Sequence, residues 1–330
     1  MSLNNIEPHS ESWKKILRQN FTRLDILTDF LELNEEQKNS LIDKPHFSLN
    51  IPLRLAQKIK KGTLDDPIFR QFVPLKEESS IRDDFFSDPV GDAQFCRESK
   101  LLHKYEGRVL LVCTSACAMH CRYCFRQNFD YDNQDRTFKS ELNIIANDST
   151  IREVILSGGD PLSLSNEILK PLLTKLNDIP HIKRIRFHTR FPIGIPERID
   201  ANFLSILENL QKQIWFVIHV NHPQELDLDI FFYLKKLQLI GCILLNQSVL
   251  LKNVNDNPDT LKELCEVLVD QGILPYYIHQ LDRVKGTSHF EVSEEYGREL
   301  LKQISRSLPG YAVPKYVKEI IGESYKTSLF

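Results

Sequence analysis

Cys117, Cys121 and Cys124 are spaced C-x3-C-x2-C, directly after the apolar run from Val109 to Val112. Thiolates are soft ligands that select zinc, copper or iron–sulfur centres. Three of them within eight residues can converge on one such centre. A four-thiolate site needs a further cysteine at comparable spacing. The nearest is Cys113, four residues before Cys117 and on the apolar run itself. The residues alone leave two arrangements open. Three cysteines could hold three irons of a [4Fe–4S] cluster with one iron left free, or Cys113 could complete a four-cysteine site. The blander readings are structural zinc and, for Cys113, a small buried hydrophobe.

Other chemistry-bearing groups follow at intervals. Ser157-Gly158-Gly159-Asp160 holds paired glycines, which let backbone approach a ligand closely. Arg184-Ile185-Arg186-Phe187-His188-Thr189-Arg190 alternates, placing Arg184, Arg186 and His188 on one face and Arg190 at the exit. A guanidinium there suits a phosphate or carboxylate, whereas Arg184 also reads as a solvated arginine at the far end. Asn246-Gln247-Ser248 offers amides and a hydroxyl to a polar cofactor. His279 reads either as a core histidine or as part of a site, and Asp282 just beyond it could meet an ammonium group. Lys326, near the last residue, reads on composition as an exposed terminal lysine.

These residues need elements to position them. Short apolar runs at Arg108–Cys113, Glu153–Ser157, Arg184–His188, Trp215–Val220, Gly241–Leu245 and Pro275–His279 predict strands. Helical patterns near 137–148, 164–177, 197–210, 225–238 and 259–271 lie between them, with another near 291–307. Strand–helix alternation with continuous apolar strands predicts a parallel sheet buried on both faces. Six units fit a partial (β/α)6 barrel, whose ligands sit at the strand C-termini, where the candidate groups fall. A doubly wound sheet is the alternative, but no GxGxxG follows the first strand. The expected division is an N-terminal helical region and connector over 1–100, the barrel over 101–290, and a C-terminal helix and tail over 291–330. In the first part, Trp13 to Leu24 and Leu31 to Leu41 predict helices, the second starting at Asn34, and Leu53 to Lys60 a third. Asp66 to Val90 reads as an extended connector, and nothing in this region reads as catalytic.

Composition narrows the class. The 330 residues are 42% hydrophobic and 26% charged, ordinary for a globular chain with a real core. Lys+Arg of 42 against Asp+Glu of 45 gives a formal charge of -3, so no basic excess points to nucleic acid. Seven cysteines, three of them clustered, are not a disulfide framework and suit a reducing compartment. Met1–Asn5 lacks a basic segment leading into an apolar run, and no apolar stretch nears the roughly 18 residues of a membrane helix. The expected location is cytoplasmic.

The cysteine stretch, with the aromatic Tyr123 before its last cysteine, resembles the radical S-adenosylmethionine superfamily. There the amino and carboxylate groups of S-adenosylmethionine chelate the fourth iron. CxxxCRYCFR at 117–126, LSGGDPL at 156–162, RFHTRFPIGIPERI at 186–199 and HVNHP at 219–223 extend the likeness. So do LLNQSVLLKNVND at 244–256, YYIHQLDRVKGTSHF at 276–290 and GYAVPKYVKEIIGESYK at 310–326. Together they resemble the lysine 2,3-aminomutase family, most of all its short bacterial branch that makes (R)-β-lysine for modification of elongation factor P.

The resemblance implies an isomerase that moves the amino group of L-α-lysine from C2 to C3. It also implies a [4Fe–4S] cluster on Cys117, Cys121 and Cys124, S-adenosylmethionine, and pyridoxal 5'-phosphate joined to Lys326. A Schiff base needs an amine that can become neutral, which a lysine supplies. Ser157, Gly158, Gly159 and Asp160 match the motif that hydrogen-bonds the amino group of S-adenosylmethionine, with Asp160 where Glu is commoner. Arg190 matches an arginine at the cofactor phosphate, and Asn246 and Gln247 fall in a stretch that helps hold the cofactor. Arg126 matches the receiver of the substrate carboxylate. Asp282 and Glu319 match two acidic positions that bind the ε-ammonium, Glu319 replacing the Asp of long forms. Those forms also place a glycine run before the lysine, where this chain has Gly322-Glu323-Ser324-Tyr325. They carry a C-terminal extension used in oligomer contacts, whereas this sequence stops at Phe330, so the oligomeric state stays open. Implied partners are L-lysine, an electron donor such as a flavodoxin or ferredoxin, and a functional link to elongation factor P and its ligase. Neither nucleic acid nor membrane is implied.

Overall fold

The computed structural model describes residues 12–131 and 137–330; the Met1–Asn5 stretch read for a signal lies outside them. Among the described residues the strands are β1 (Cys96–Glu98), β2 (Leu101–Tyr105), β3 (Arg108–Thr114), β4 (Glu153–Gly158) and β5 (Arg184–Thr189). They continue as β6 (Gln213–Ile218), β7 (Ile243–Val249), β8 (Leu274–His279), β9 (Lys315–Lys318) and β10 (Thr327–Ser328). All ten form one sheet in sequence order. From β3 to β9 every neighbouring pair is parallel. An antiparallel hairpin, β1–β2, extends the first edge, and β10 turns back antiparallel on β9 at the other. The two edge strands do not pair with each other, so the barrel is partial and open, as expected. β3 to β8 are the six strands the sequence predicts, and β9 adds a seventh parallel one.

Helices Lys139–Asn147, Asn166–Asp178, Ala201–Glu208, Leu228–Leu239 and Pro258–Asp270 cross between successive strands, and Glu294–Ser305 precedes β9. Their starts are set locally. Asp200, Asp227, Asn257 and Ser293 each accept a hydrogen bond from a first-turn backbone N–H, which satisfies donors the helix itself leaves unpaired. The core lies between these helices and the outer face of the sheet. Phe187 of β5 stacks on Phe216 of β6 at 4.7 Å, and Phe203 of the covering helix meets both edge-on. Burying each such ring stabilises the fold by about 1.5–3 kcal/mol.

The opposite face of the sheet departs from expectation. The strands are not apolar on both faces: β5 buries Ile185, Phe187 and Thr189 outward and turns Arg184, Arg186 and His188 inward. Pairing register puts Arg108, Glu153 and Arg184 in one row across the lumen. Both arginines bond Glu153, at 3.0 Å from Arg184, which stays partly exposed, and at 2.7 Å from Arg186, where the pair offsets the cost of enclosing the charge.

The N-terminal region is built of short helices, Trp13–Leu17, Leu24–Phe30, Glu35–Lys38 and Leu53–Lys58. Asn34 caps the third with a capping box, as its sequence predicts. The expected extended connector begins instead with a helix, Pro67–Phe72. Asp66 accepts from the N–H groups of Ile68 and Phe69 at 2.9 Å, and Pro67 sits where a missing N–H costs nothing.

Candidate active site

Cys117, Cys121 and Cys124 lie on the loop leaving β3, half-buried and free of disulfides. The N-terminal region, read from sequence as helices and a connector with nothing catalytic, holds this loop. Asn20 donates to the Ala118 carbonyl at 2.7 Å, and Asn50 to that of Cys117 at 3.3 Å. The Arg122 N–H meets the Gln71 carbonyl at 2.8 Å, and the Arg122 guanidinium pairs with Glu78 and with the Phe47 carbonyl. The loop at the end of β4 presses on it from the other side. Gly159 and Asp160 donate to the carbonyls of Thr114 at 2.6 Å and Ala116 at 2.8 Å. Gly158 has φ 116°, and a Cβ there would stand 2.8 Å from the Thr114 oxygen; one on Gly159 would collide with Ala116 and Ser115. The two glycines are therefore required by close approach.

Burial pushes the Cys124 thiol up to about 11 and that of Cys117 well above the ordinary range. Thiolates at these positions need a cation to stabilise them. Among the described residues no three His, Cys, Asp or Glu side chains gather closely enough for a single metal ion. Cys113 is buried on β3, its thiol raised to about 12 by burial, and its Sγ faces the Leu111 carbonyl at 3.4 Å. It is the small hydrophobe of the blander reading.

The second half of the site comes from the C-terminal segment. β9 delivers Glu319 and the β10 turn delivers Lys326, whose Nζ lies 2.5 Å from the Glu319 carboxylate. Lys104 of β2 reaches the same carboxylate at 2.6 Å, and the Tyr105 hydroxyl donates to it as well. Burial alone would raise Glu319, but the Lys326 charge and these hydrogen bonds hold it down at about 2. Asp282 lies just past β8; its carbonyl accepts from the Val284 N–H at 2.8 Å, while its carboxyl has no hydrogen-bond partner among the described residues. Burial raises it to about 7 against the opposing pull of Lys326. Lys326 also acts electrostatically on His188 and His279, so it faces the lumen and is no stray terminal lysine. Arg126 is buried at the mouth, 2.8 Å from Asp92 and 3.3 Å from the Ser157 hydroxyl. With Asp92, Phe125 and Phe129 it walls a cleft of about 320 Å³.

Three expected ligand contacts are not available as side chains. Asp160 accepts from Thr189 Oγ1 and from the N–H groups of Leu162, Arg190 and Phe191, so its carboxylate ties β4 to β5. Asn246 is committed to both backbone groups of Val220, at 3.0 and 3.1 Å, leaving Gln247 as the lumen-facing amide of the pair. Arg190 is not open to a phosphate: its guanidinium bonds Cys121, Tyr123, Gln71 and Glu225. Sequence reasoning missed Asp92, Lys104, Tyr105, Gln71, Glu153 and Glu225. Only Glu225, two residues beyond HVNHP, had a nearby signal.

A family model described as "4Fe-4S single cluster domain" matches residues 105–214. An L-lysine 2,3-aminomutase from Haemophilus influenzae is 40% identical over 96% of this chain and 95% of its own. A protein of the same name from Escherichia coli is 45% identical over 69% of this chain and 68% of its own. One from Buchnera aphidicola is 39% identical over 96% of this chain and 95% of its own.

The chain belongs to the L-lysine 2,3-aminomutase family. That family lies within the radical S-adenosylmethionine superfamily and uses a [4Fe–4S] cluster, S-adenosylmethionine and pyridoxal 5'-phosphate. The lumen fits such large polar cofactors. His188, His219 and His279 each have a buried Nε2 without a partner, as do Trp215 at Nε1 and Arg186 at Nε. Buried polar atoms are rarely left so, and a polar ligand would satisfy them. Burial drives His219 down to about 3 and the other two imidazoles well below their ordinary value, so all three are neutral at pH 7. Among the described residues, no helix is long and apolar enough to cross a membrane.

Proposed function

We propose that this chain interconverts L-α-lysine and (R)-β-lysine. The observation that carries the proposal is the pairing of Lys326 with Glu319, with Asp282 electrostatically coupled to both. When bound, the cluster with S-adenosylmethionine supplies a carbon-centred radical, and pyridoxal phosphate supplies an imine π-system through which nitrogen can migrate. The protein's own residues position the substrate. Arg126 takes the α-carboxylate in place of Asp92. Lys326 would hold pyridoxal phosphate, and Glu319 with Asp282 would receive the substrate's ε-ammonium. Fixing both ends presents C3 for reaction and replaces collision with orientation. Cys117, Cys121 and Cys124 hold the cluster, the backbone of Ser157 to Gly159 faces the amino group of S-adenosylmethionine, and Gln247 contributes to the cofactor pocket. By the same resemblance, electrons come from a flavodoxin or ferredoxin, and β-lysine passes to the ligase that modifies elongation factor P.

L-Norleucine, which lacks the ε-ammonium, tests the reading. Its kcat/KM is expected to fall at least about 10³-fold below that of L-lysine, because the ammonium's ion pair with Glu319 is lost and the Asp282 carboxyl stays without a partner. Equal turnover of both amino acids would overturn the assignment of Asp282 and Glu319.

Asp282 also gives the reaction a pH signature. A carboxyl raised to about 7 is protonated below that pH and then offers an ammonium no charge. The kcat/KM for lysine is therefore expected to drop as pH falls through 7, approaching about tenfold per unit. In Asp282→Asn that acidic limb should vanish. Its persistence in the variant would assign the titration to another group.

A further inference from the structure

We infer that Arg190 is a positioning residue that sets the reduction potential of the cluster, through an N–H···S hydrogen bond to Cys121. The inference rests on the cluster assignment above. Arg190 Nη1 lies 2.9 Å from Cys121 Sγ and also meets the Tyr123 hydroxyl. Its Nη2 is held by Glu225 at 2.6 Å and Gln71 at 2.7 Å. Asn221 braces the arrangement, donating to Tyr123 at 2.7 Å and to Gln71 at 2.9 Å. The guanidinium is stacked 4.7 Å from the Phe72 ring centre, and Arg190 is only 5% exposed. This pocket leaves the guanidinium one orientation, with a single nitrogen aimed at a ligating sulfur. Among the described residues, neither Cys117 nor Cys124 receives such a side-chain donor.

Reduction adds one electron, taken from an external one-electron donor, and takes the cluster from its 2+ to its 1+ state with no bond made or broken. The added charge spreads onto the thiolate sulfurs, and donors to those sulfurs raise the potential. Glu225 opposes this, being an anion. It sits on the far nitrogen, whereas the N–H touches the sulfur, so the nearer positive end dominates. Poor screening in a buried pocket preserves the difference.

The test is a redox titration of the reconstituted protein, poised with dithionite and read by the EPR signal of the reduced cluster. Arg190→Gln is expected to make reduction about tenfold less favourable, a fall of about 59 mV for one electron. Arg190→Lys, which keeps the charge but not the planar fork, should fall between the variant and the wild type. It carries the test alone if Arg190→Gln does not load its cluster. Merely structural support of the loop would change cluster loading without moving the midpoint of the loaded fraction. A loaded Arg190→Lys protein with the wild-type midpoint overturns the inference. A wild-type protein with no reducible cluster overturns instead the reading on which it rests.

Discussion

Lys326→Ala is expected to lower turnover at least about 10³-fold and to abolish covalent attachment of pyridoxal phosphate, while the iron and sulfide content stays at the wild-type level. The two losses go together because this amine is the group that faces the lumen. Its charge is felt by His188, His279 and Asp282, and its Nζ lies 2.5 Å from Glu319. The fold should survive the change. Glu319 keeps Lys104 at 2.6 Å and the Tyr105 hydroxyl, so its carboxylate is not left stranded. Lys326 is also partly exposed, and loss of its ion pair should cost about 1 kcal/mol or less. Lys326→Arg sharpens the result. It preserves a cation for Glu319 but cannot attach the cofactor, and it should be as inactive as the alanine variant. Full activity in Lys326→Arg, followed by absorption and product formation, would show that the lysine serves only as a counter-ion.

Cys121→Ala is expected to remove the cluster's reducible signal and with it all cleavage of S-adenosylmethionine. One of the three proposed thiolate ligands disappears, and the nearest other cysteine, Cys113, is buried on β3. The variant should still fold. Arg190 loses its contact to sulfur but keeps Gln71, Glu225 and Tyr123, and the loop keeps its bonds to Asn20, Asn50, Gln71 and Glu78. Iron and sulfide analysis with EPR after dithionite checks it. A full cluster in the variant would mean that the ligands lie elsewhere.

Much of this arrangement is legible in the sequence, for identifiable reasons. The strands β3 to β8 and their helices announce themselves because buried parallel strands and amphipathic crossovers have distinct periods. Short edge strands do not: β1, β9 and β10 span two to four residues, too few for a period to register. With β2 unseen, Lys104 and Tyr105 stayed outside the site although they hold Glu319. The same limit explains Gln71, which lies in a stretch whose three prolines read as a connector.

A different difficulty affected Asp160, Asn246 and Arg190. Strand position correctly placed each near the ligand end of the barrel. Sequence does not say which polar groups are already engaged by neighbours, and all three are, although Arg190 keeps a buried Nε without a partner. Asp160 is filled by four donor groups from the β4 and β5 ends, Asn246 by one backbone residue, and Arg190 by partners from three distant segments. Arg126 and Asp282 show the converse. Their proposed roles follow from the family resemblance, and the structure adds an Asp92 paired with Arg126 and a carboxyl raised by burial.

The most direct measurement is product analysis by NMR after anaerobic incubation of the reconstituted protein with L-lysine, S-adenosylmethionine, pyridoxal phosphate and dithionite. β-Lysine should form, and should be absent when S-adenosylmethionine is withheld. A protein that loads its cluster, binds pyridoxal phosphate at Lys326 and cleaves S-adenosylmethionine, yet returns L-lysine unchanged, would contradict the proposed reaction.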